Sequence, residues 1–161
     1  MWDARGRLKI IDRVKNLFKL SNGEYIAPEK LENLYLQDEL VSQIFIYGDT
    51  LRAFIVGVVV PETGAFRRWV KELLGSDYIN RSNPNDLYTN EFVVAEFLKH
   101  MQRHGRQAGL KPFELVRKIS LIAEPFSVEN GLLTPTLKLK RNEAKIYYKD
   151  LIDRMYGTTR D

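Results

Sequence analysis

The longest apolar run of this chain, from Phe54 to Val60, constrains its fold more than any other segment. A helix that crosses a bilayer requires about 20 apolar residues, so this run is a core element rather than a membrane span. Its residues are mostly β-branched and leave no polar face, which predicts a strand in the centre of a sheet. Because Gly48-Asp49-Thr50 predicts a turn, we expect a β-hairpin with strands Ile44 to Tyr47 and Leu51 to Val60.

Helices are predicted on both sides of this hairpin in the sequence from apolar residues at helical spacing. Pro28 is expected to open the first helix, Asn90 to cap a longer one and Asn142 to cap the last. The segment from Gly75 to Asn90 lacks this periodicity and predicts a polar surface loop. The apolar stripes of the four helices are Leu31, Leu34 and Tyr35; Phe66, Trp69, Val70 and Leu73; Val94, Phe97, Leu98 and Met101; and Tyr148, Leu151, Ile152 and Met155.

Short strands near both ends of the chain complete the predicted fold. Arg7 to Val14 and Leu17 to Ile26 are strand-like segments around a turn signal at Ser21 to Gly23, where a hairpin or a bent loop fits. A further strand, Lys118 to Ile122, follows a short helix that begins at Pro112. The 161 residues are enough for one packed domain and too few for two ordinary ones. The expected fold class is α+β: a small mixed domain with a short N-terminal hairpin and a three-stranded sheet flanked by helices.

Composition narrows the chemistry that this chain can perform. The chain has no cysteine, which excludes a disulfide scaffold, a thiolate metal site and a cysteine nucleophile. Its net charge is +4, and the basic residues are concentrated near its two ends. This pattern indicates an anionic partner, which is a nucleotide, a phosphate-bearing cofactor, nucleic acid or acidic lipid.

Two long segments resemble a known family. The run from Gly6 to Glu32 resembles the hinge and following loop of the acyl-adenylate-forming superfamily. Within it, Asn-Gly-Glu-Tyr-Ile-Ala-Pro-Glu-Lys-Leu-Glu, from Asn22 to Glu32, is similar to the eukaryotic-type long-chain acyl-CoA synthetase branch. The run Gly-Leu-Leu-Thr-Pro-Thr-Leu-Lys-Leu-Lys-Arg, from Gly131 to Arg141, resembles the terminal lysine motif of that branch. The resemblance extends over nearly the whole chain, from Trp2 to Tyr156.

The resemblance implies that residues 1–161 are the C-terminal (lid) domain of a long-chain fatty-acid:CoA ligase, with a hinge near residues 13–16 and the large N-terminal domain absent. The implied enzyme joins ATP and a fatty acid into an acyl-adenylate and pyrophosphate, and CoA then displaces AMP to give acyl-CoA. ATP, Mg²⁺ and CoA are expected to bind mainly with the N-terminal domain, which is this domain's partner. The isolated domain is therefore expected to be inactive.

For the adenylation step, the resemblance identifies Lys138 as the catalytic lysine and Arg13 as the residue that holds the ribose of ATP or AMP. The fatty-acid carboxylate must approach a negative phosphate, so a mobile cation that bridges both would stabilise the transition state. The wider superfamily commonly has Ser-Gly-Lys where this chain has Thr136-Leu137-Lys138, and many members have glycine in place of Asp12. Lys140 is the alternative candidate for the inserted lysine.

For thioester formation, the resemblance implies that the domain rotates and presents the turn from Ser21 to Glu24 to the acyl-adenylate, beside CoA. Gly23 would allow the backbone to come close where a Cβ atom would clash, and Glu24 lies in the same loop. Lys19 matches a lysine that contributes to this second face in some relatives. Lys15 stands at the hinge position.

Other groups are interpreted as structural. His100 and His104 lie four residues apart on a predicted helix; a solvated helix face is favoured over a metal pair, and no metal site is expected. Glu29 and Glu32 are interpreted as residues of a helix's first turn that favour its dipole. The aromatic residues at helical spacing are assigned to the core: Phe66, Trp69, Tyr147 and Tyr148.

Two other classes of function stay open. The first is a basic nucleic-acid-binding module, although the chain has no recognisable motif of that kind. The second is a protein-interaction or membrane-surface domain that uses the basic last helix. The resemblance favours the ligase, without nucleic acid as a partner, and implies a location on the cytoplasmic face of the endoplasmic reticulum or another organelle membrane. The domain itself is expected to be soluble, and membrane association of the full-length enzyme stays open.

Overall fold

A computed structural model describes residues 4–6 and 14–157 of the chain. Within these residues, no helix is both long enough and apolar enough to cross a membrane. Single-turn 3₁₀ helices span Val14–Asn16 and Pro112–Glu114. The strands and helices in chain order are β1 (Phe18–Lys19), β2 (Tyr25–Ile26), α1 (Pro28–Tyr35), β3 (Val41–Tyr47), β4 (Val56–Pro61), α2 (Thr63–Leu74), α3 (Ser76–Arg81), α4 (Asp86–Thr89), α5 (Glu91–Gln107), β5 (Lys118–Leu121), α6 (Arg141–Tyr147) and α7 (Lys149–Gly157).

The predicted α+β class is confirmed: a two-stranded hairpin, β1–β2, accompanies a three-stranded sheet in the order β3-β4-β5. Strand β4 is antiparallel to β3 and parallel to β5. All of its residues are buried, so the prediction of a central strand is also confirmed. The strand begins at Val56 rather than Leu51 because the Asp49 side chain accepts a hydrogen bond from the Leu51 N–H and holds a longer connection.

Two apolar cores cover the two faces of this sheet. Alternate residues of β4 point in opposite directions, so Val59 belongs to the core beneath α1, α2 and α5, whereas Val58 belongs to the core beneath α6 and α7. The same alternation separates Ile44 from Phe45 in β3. The loop that carries Lys138 leads into α6, which places it on the second of these faces.

Several helix boundaries follow the predicted signals. Helix α1 begins at Pro28, and its Leu31 and Tyr35 side chains are fully buried. Helix α5 begins after Asn90, whose side chain accepts hydrogen bonds from the backbone N–H groups of Phe92 and Val93. This cap satisfies two of the four donors that a helix leaves free at its N-terminus.

Two predictions about the helices are wrong. The segment from Gly75 to Asn90 is not only a loop, because it folds into α3 and α4, each of which buries one apolar residue, Ile79 or Leu87. Asn142 does not cap the last helix. The predicted last helix is divided into α6 and α7, and Asn142 lies in the first turn of α6. Lys140 occupies the N-cap position of α6: its N–H donates to Leu132 O at 2.8 Å and its carbonyl accepts from Ala144 N at 2.9 Å.

The N-terminal hairpin is confirmed only in its second part. Phe18 pairs with Ile26 and Lys19 pairs with Tyr25 around the predicted turn at Ser21 to Gly23. The predicted strand from Arg7 to Val14 lies outside the described residues except for its last residue, which belongs to a 3₁₀ turn.

Candidate functional site

The loop that presents Lys138 is a tight hairpin. Leu133 and Leu139 form an antiparallel bridge at its base. The Leu137 N–H donates to Thr134 O at 2.8 Å, which closes a turn with Pro135 at its second position. Thr134 N then donates to Lys138 O at 2.8 Å, and Lys138 N donates to the Thr134 hydroxyl at 3.0 Å. The backbone of Lys138 is therefore fixed, whereas its side chain is exposed to solvent.

Leu137 holds an unusual conformation beside this lysine. Its φ is +63°, the only positive value at a non-glycine residue in the described part of the chain, and its side chain is 71% exposed. A β-carbon makes this left-handed region unfavourable by about 1–2 kcal/mol. The position is the one at which the resemblance expects glycine, so the Ser-Gly-Lys pattern was itself a signal of this backbone shape.

Arg141 anchors the C-terminal end of the loop. Its guanidinium binds both carboxylate oxygens of Glu32, with N–O distances of 2.9 and 2.5 Å. Glu32 is only 6% exposed and also accepts a hydrogen bond from Ile46 N, on β3, at 2.9 Å. The interpretation of Glu32 as a first-turn residue that favours the helix dipole is therefore wrong. Its position four residues after Pro28 and three before Tyr35 puts it on the inward face of α1, and this spacing is the signal that could have identified it.

An open cleft of about 930 Å³ borders this loop. Lys15 and Lys138, two of the predicted site residues, both line it. Lys140 and Lys145 also line the cleft, as do the carboxylates Glu29, Glu32 and Glu143. The Lys145 ammonium is 5.6 Å from the centre of the Tyr47 ring. Several cations around one cleft favour an anionic ligand or transition state.

The turn from Ser21 to Glu24 has the same hydrogen-bond pattern as the lysine loop. Gly23 N donates to Leu20 O at 2.9 Å and Leu20 N donates to Glu24 O at 2.8 Å. Gly23 has φ of +87°, and the nearest side-chain atom to a Cβ built there is Lys19 Cε, at 3.9 Å. Glycine is thus favoured here by backbone conformation rather than by crowding among the described residues.

The remaining predicted site residues lie close to this turn or outside the described residues. The Lys19 ammonium lies 5.5 Å from the centre of the Tyr25 ring. Lys19, Gly23 and Glu24 do not line the cleft. The structure therefore brings Lys138 and Lys15 to one surface and leaves the other three on the hairpin. Arg13 lies outside the described residues.

A set of contacts that sequence reasoning missed supports the hairpin turn. Ser21 N donates to Arg52 O at 2.9 Å, and the Arg52 guanidinium lies 4.4 Å from the centre of the Tyr156 ring. The Tyr156 hydroxyl donates to Phe54 O at 2.8 Å. Burial raises the pKa of Tyr156 above its ordinary value, so this hydroxyl stays protonated and keeps donating. These contacts join α7 to the turn through the connection between β3 and β4.

The two histidines of α5 are not on a solvated face, so that interpretation is wrong. The ring of His100 lies 2.6 Å from a carboxylate oxygen of Asp38, and the ring of His104 lies 3.7 Å from the same oxygen. Burial raises the pKa of the Asp38 carboxyl, but hydrogen bonds from His100 and the Leu40 N–H outweigh it, so the pKa lies below its ordinary value of 3.8. Within residues 4–6 and 14–157, no cluster of three His, Cys, Asp or Glu residues could hold a metal ion.

One aromatic prediction also needs correction. Phe66 and Tyr148 are buried, as predicted, and Trp69 packs against the core beneath α1, α2 and α5. Tyr147, at the C-terminal end of α6, is half exposed, and its hydroxyl lies 3.5 Å from a carboxylate oxygen of Glu124.

Comparison with known proteins identifies the family. No family model matches the chain. The chain is 46% identical over 157 residues to long-chain-fatty-acid–CoA ligase 1 of Cavia porcellus, an alignment that covers 98% of this chain and 22% of that protein. It is also 46% identical over 156 residues to long chain acyl-CoA synthetase 6, peroxisomal, of Arabidopsis thaliana, with 97% and 22% covered. The chain belongs to the long-chain fatty-acid–CoA ligase family. It corresponds to the C-terminal part of these relatives and spans about a fifth of their length.

Solved structures agree with this family assignment. The adenylation domain of a carboxylate reductase from Mycobacterium chelonae matches with a TM-score of 0.76 and 30% identity, over 97% of this chain and 24% of that one. The A domain of a carboxylic acid reductase from Segniliparus rugosus, solved with AMP and a co-purified carboxylic acid, matches with a TM-score of 0.73 and 31% identity, over 92% and 21%. The similarity to the ligases favours that interpretation over the nucleic-acid-binding alternative, which rested on charge alone.

Proposed function

We propose that this chain is the C-terminal (lid) domain, residues 1–161, of an AMP-forming ligase that activates a long-chain fatty acid and transfers it to CoA. The observation that carries the proposal is the 46% identity to long-chain-fatty-acid–CoA ligase 1 over 98% of the chain. The chain spans only 22% of that relative, so the rest of the enzyme supplies most of the substrate pockets. A hinge near residues 13–16 joins the two parts.

In the adenylation step, Lys138 acts as the mobile cation. A fatty-acid carboxylate oxygen attacks the α-phosphate of ATP, the bond between the α- and β-phosphates breaks, and pyrophosphate leaves. Negative charge builds on the α-phosphoryl oxygens, and the Lys138 ammonium stabilises it without transferring a proton. Its exposure, on a hairpin loop with a fixed backbone, supports this role. Inside a pocket closed to water the charge interaction is much stronger than in bulk solvent.

Lys138 is favoured over Lys140 for this position. The backbone of Lys140 is tied to Leu132 at the base of the loop and begins α6, and its side chain is only partly exposed. An exposed side chain reaches a facing pocket more freely than one that is partly covered by its own domain. Arg13 is proposed to hold the ribose hydroxyls of the nucleotide.

In the thioester step, the domain turns about Lys15 and brings the turn from Ser21 to Glu24 to the acyl-adenylate. The CoA sulfur attacks the acyl carbonyl carbon, the bond from that carbon to the AMP phosphate oxygen breaks, and AMP leaves. The exposed backbone at Gly23, with Glu24 beside it, borders the passage for CoA, and Lys19 contributes a positive charge near it. The separation of this turn from the cleft that Lys138 lines supports two working surfaces.

ATP, CoA and the fatty acid are substrates of the whole enzyme, and Mg²⁺ accompanies ATP. Among the described residues of this chain, no group of three His, Cys, Asp or Glu side chains could hold a metal ion. We assign the metal ligands to the rest of the enzyme. The enzyme is further proposed to act on the cytoplasmic face of the endoplasmic reticulum or another organelle membrane, with fractionation of cells as the test.

Product analysis of the full-length protein tests the proposed reaction. With a long-chain fatty acid, ATP and CoA, the protein should form acyl-CoA, AMP and pyrophosphate in equal amounts. This chain alone should form none of them, because a lysine without a pocket has nothing to stabilise. Release of ADP, or AMP formation that does not depend on the fatty acid, would contradict the proposal.

A further inference from the structure

Glu32 is the one charged residue that is buried within the described part of the chain. Burial of a carboxylate is costly unless a partner and further hydrogen bonds compensate it. Here Arg141, whose side chain is 21% exposed, binds both of its oxygens, and the Ile46 N–H donates to one of them. The planar guanidinium matches a carboxylate in one geometry, so this pair fixes direction as well as distance.

The pair ties together segments that are far apart in sequence. Glu32 and Arg141 are 109 residues apart, and Arg141 lies three residues after Lys138. The N-terminal side of the same segment is tied to β3, because the Gln43 amide exchanges two hydrogen bonds with the Phe126 backbone, at 3.0 and 2.6 Å. The hydrogen bonds inside the loop determine its shape. The Glu32–Arg141 pair and the Gln43–Phe126 hydrogen bonds determine its orientation relative to the sheet.

We infer that Glu32 and Arg141 are positioning residues for Lys138, an inference that rests on the proposed adenylation step. Neither side chain needs to touch a substrate. The pair holds the base of the loop against α1 and the edge of β3, so the ammonium of Lys138 enters the facing pocket at a set depth and angle. A misplacement of about 1 Å in such a group can lower a rate by about 100-fold.

The hairpin turn provides an internal comparison. Its Ser21 N–H is held by the carbonyl of Arg52, whose guanidinium packs on Tyr156 of α7, whereas the Glu32–Arg141 pair joins α1 to α6. A loss of the pair should therefore impair adenylation and spare thioester formation. A role in domain stability alone would impair both steps, because both surfaces belong to one domain.

The test uses the full-length enzyme and two conservative variants. Arg141→Lys keeps the charge and loses the two-pronged geometry, and Glu32→Gln keeps an acceptor for the Ile46 N–H and loses the charge. Each should lower kcat for fatty-acid-dependent ATP–pyrophosphate exchange by about 10- to 100-fold, while conversion of supplied acyl-adenylate to acyl-CoA stays within about 2-fold. If Glu32→Gln does not fold, Arg141→Lys decides alone.

The matched control is Lys30, which lies on the same helix as Glu32 and forms an ion pair with Glu114 of the second 3₁₀ helix. Lys30, 44% exposed, binds Glu114 at 3.0 Å, and Lys30→Met should leave both half-reactions unchanged. The double variant Lys138→Ala/Arg141→Lys should catalyse ATP–pyrophosphate exchange no more slowly than Lys138→Ala alone, because Arg141 acts through that lysine. An additional loss in the double variant, equal losses in both half-reactions, or no loss in Arg141→Lys would overturn the inference. If Lys138→Ala itself kept full exchange activity, the proposed role of Lys138 in adenylation would be wrong, and the inference about the pair that positions it would be wrong with it.

Discussion

Leu137 and Gly23 occupy the same position in two hairpin loops with the same hydrogen-bond pattern. Both residues adopt a positive φ, +63° and +87° respectively. A glycine reaches this region without a steric penalty, whereas a leucine is strained there. The Leu137 side chain is mostly exposed, so contacts within the described chain do not offset this strain.

Leu137→Gly should therefore stabilise the domain. The relief of backbone strain exceeds the entropy that glycine adds to the unfolded chain, which leaves a net gain of about 0.5 kcal/mol in the free energy of unfolding. Urea denaturation of this chain measures it. Leu137→Ala is the control and should give no gain, because alanine keeps the β-carbon that causes the strain. A less stable glycine variant would show that the leucine side chain contributes packing.

Asp38 contributes to the acid stability of the domain at the residue scale. Its pKa is lowered in the folded chain, so its contribution is fully present above the unfolded value near 3.8 and is lost as the pH falls through the folded value. The groups that face the carboxylate are His100, His104 and the Leu40 N–H.

Asp38→Asn should lower the free energy of unfolding at neutral pH by about 2 kcal/mol, because hydrogen bonds to a charged group are lost. The variant should also lose less stability than the unaltered chain when the pH is lowered from about 5 to about 3. Urea denaturation at each pH checks both statements. Glu129→Gln removes an exposed carboxylate and is the control with no expected change. Parallel pH curves for Asp38→Asn and the unaltered chain would refute the assignment.

Among the elements, those with strong local signals were predicted from sequence. Strand β4 was found from its β-branched run and α5 from its Asn90 cap, since both signals act within a few residues. Helices α3 and α4 were missed because each buries a single apolar residue, which gives no periodicity. The Glu32–Arg141 pair was missed for a different reason: its partners are 109 residues apart, and no local pattern connects them.

The β1–β2 hairpin packs on Gly48 without space for a larger residue. A Cβ atom at Gly48 would lie 2.6 Å from Phe18 Cε2 and 3.2 Å from Leu20 Cδ2. Gly48→Ala should therefore displace the hairpin and lower the free energy of unfolding by about 1–3 kcal/mol. Gly64→Ala is the control, because its Cβ would meet only flexible side-chain ends at 3.5 Å or more. Equal stability of the two variants by thermal unfolding would show that the hairpin does not rest on Gly48.

At the scale of the whole molecule, one small sheet has a core on each of its faces, and we propose that the domain has two separate working surfaces. The cleft with Lys15 and Lys138 lies on one side, and the turn with Gly23 extends elsewhere. We propose that the rest of the enzyme completes the reaction site at each surface. This arrangement fits a lid domain that serves the two half-reactions of a larger enzyme one after the other. We propose that the domain rotates about Lys15 between them.

Lys15→Pro should impair thioester formation more than adenylation. Proline fixes φ and removes a backbone N–H, so the change of conformation at the hinge becomes harder. Thioester formation by the full-length enzyme should fall by about 10-fold or more while adenylation changes little. Lys15→Ala, which keeps backbone freedom, should leave both nearly intact. An equal effect of proline on both steps would argue against a hinge at this residue.

The central claim is that Lys138 serves adenylation alone, and the two half-reactions of full-length Lys138→Ala test it most directly. We predict that fatty-acid-dependent ATP–pyrophosphate exchange falls by about 100-fold or more, since a preorganised charge at the transition state is lost. Conversion of supplied acyl-adenylate and CoA to acyl-CoA should be largely spared, and Lys140→Ala should retain both activities. Equal loss of the two half-reactions in Lys138→Ala, or full retention of exchange, would contradict the account.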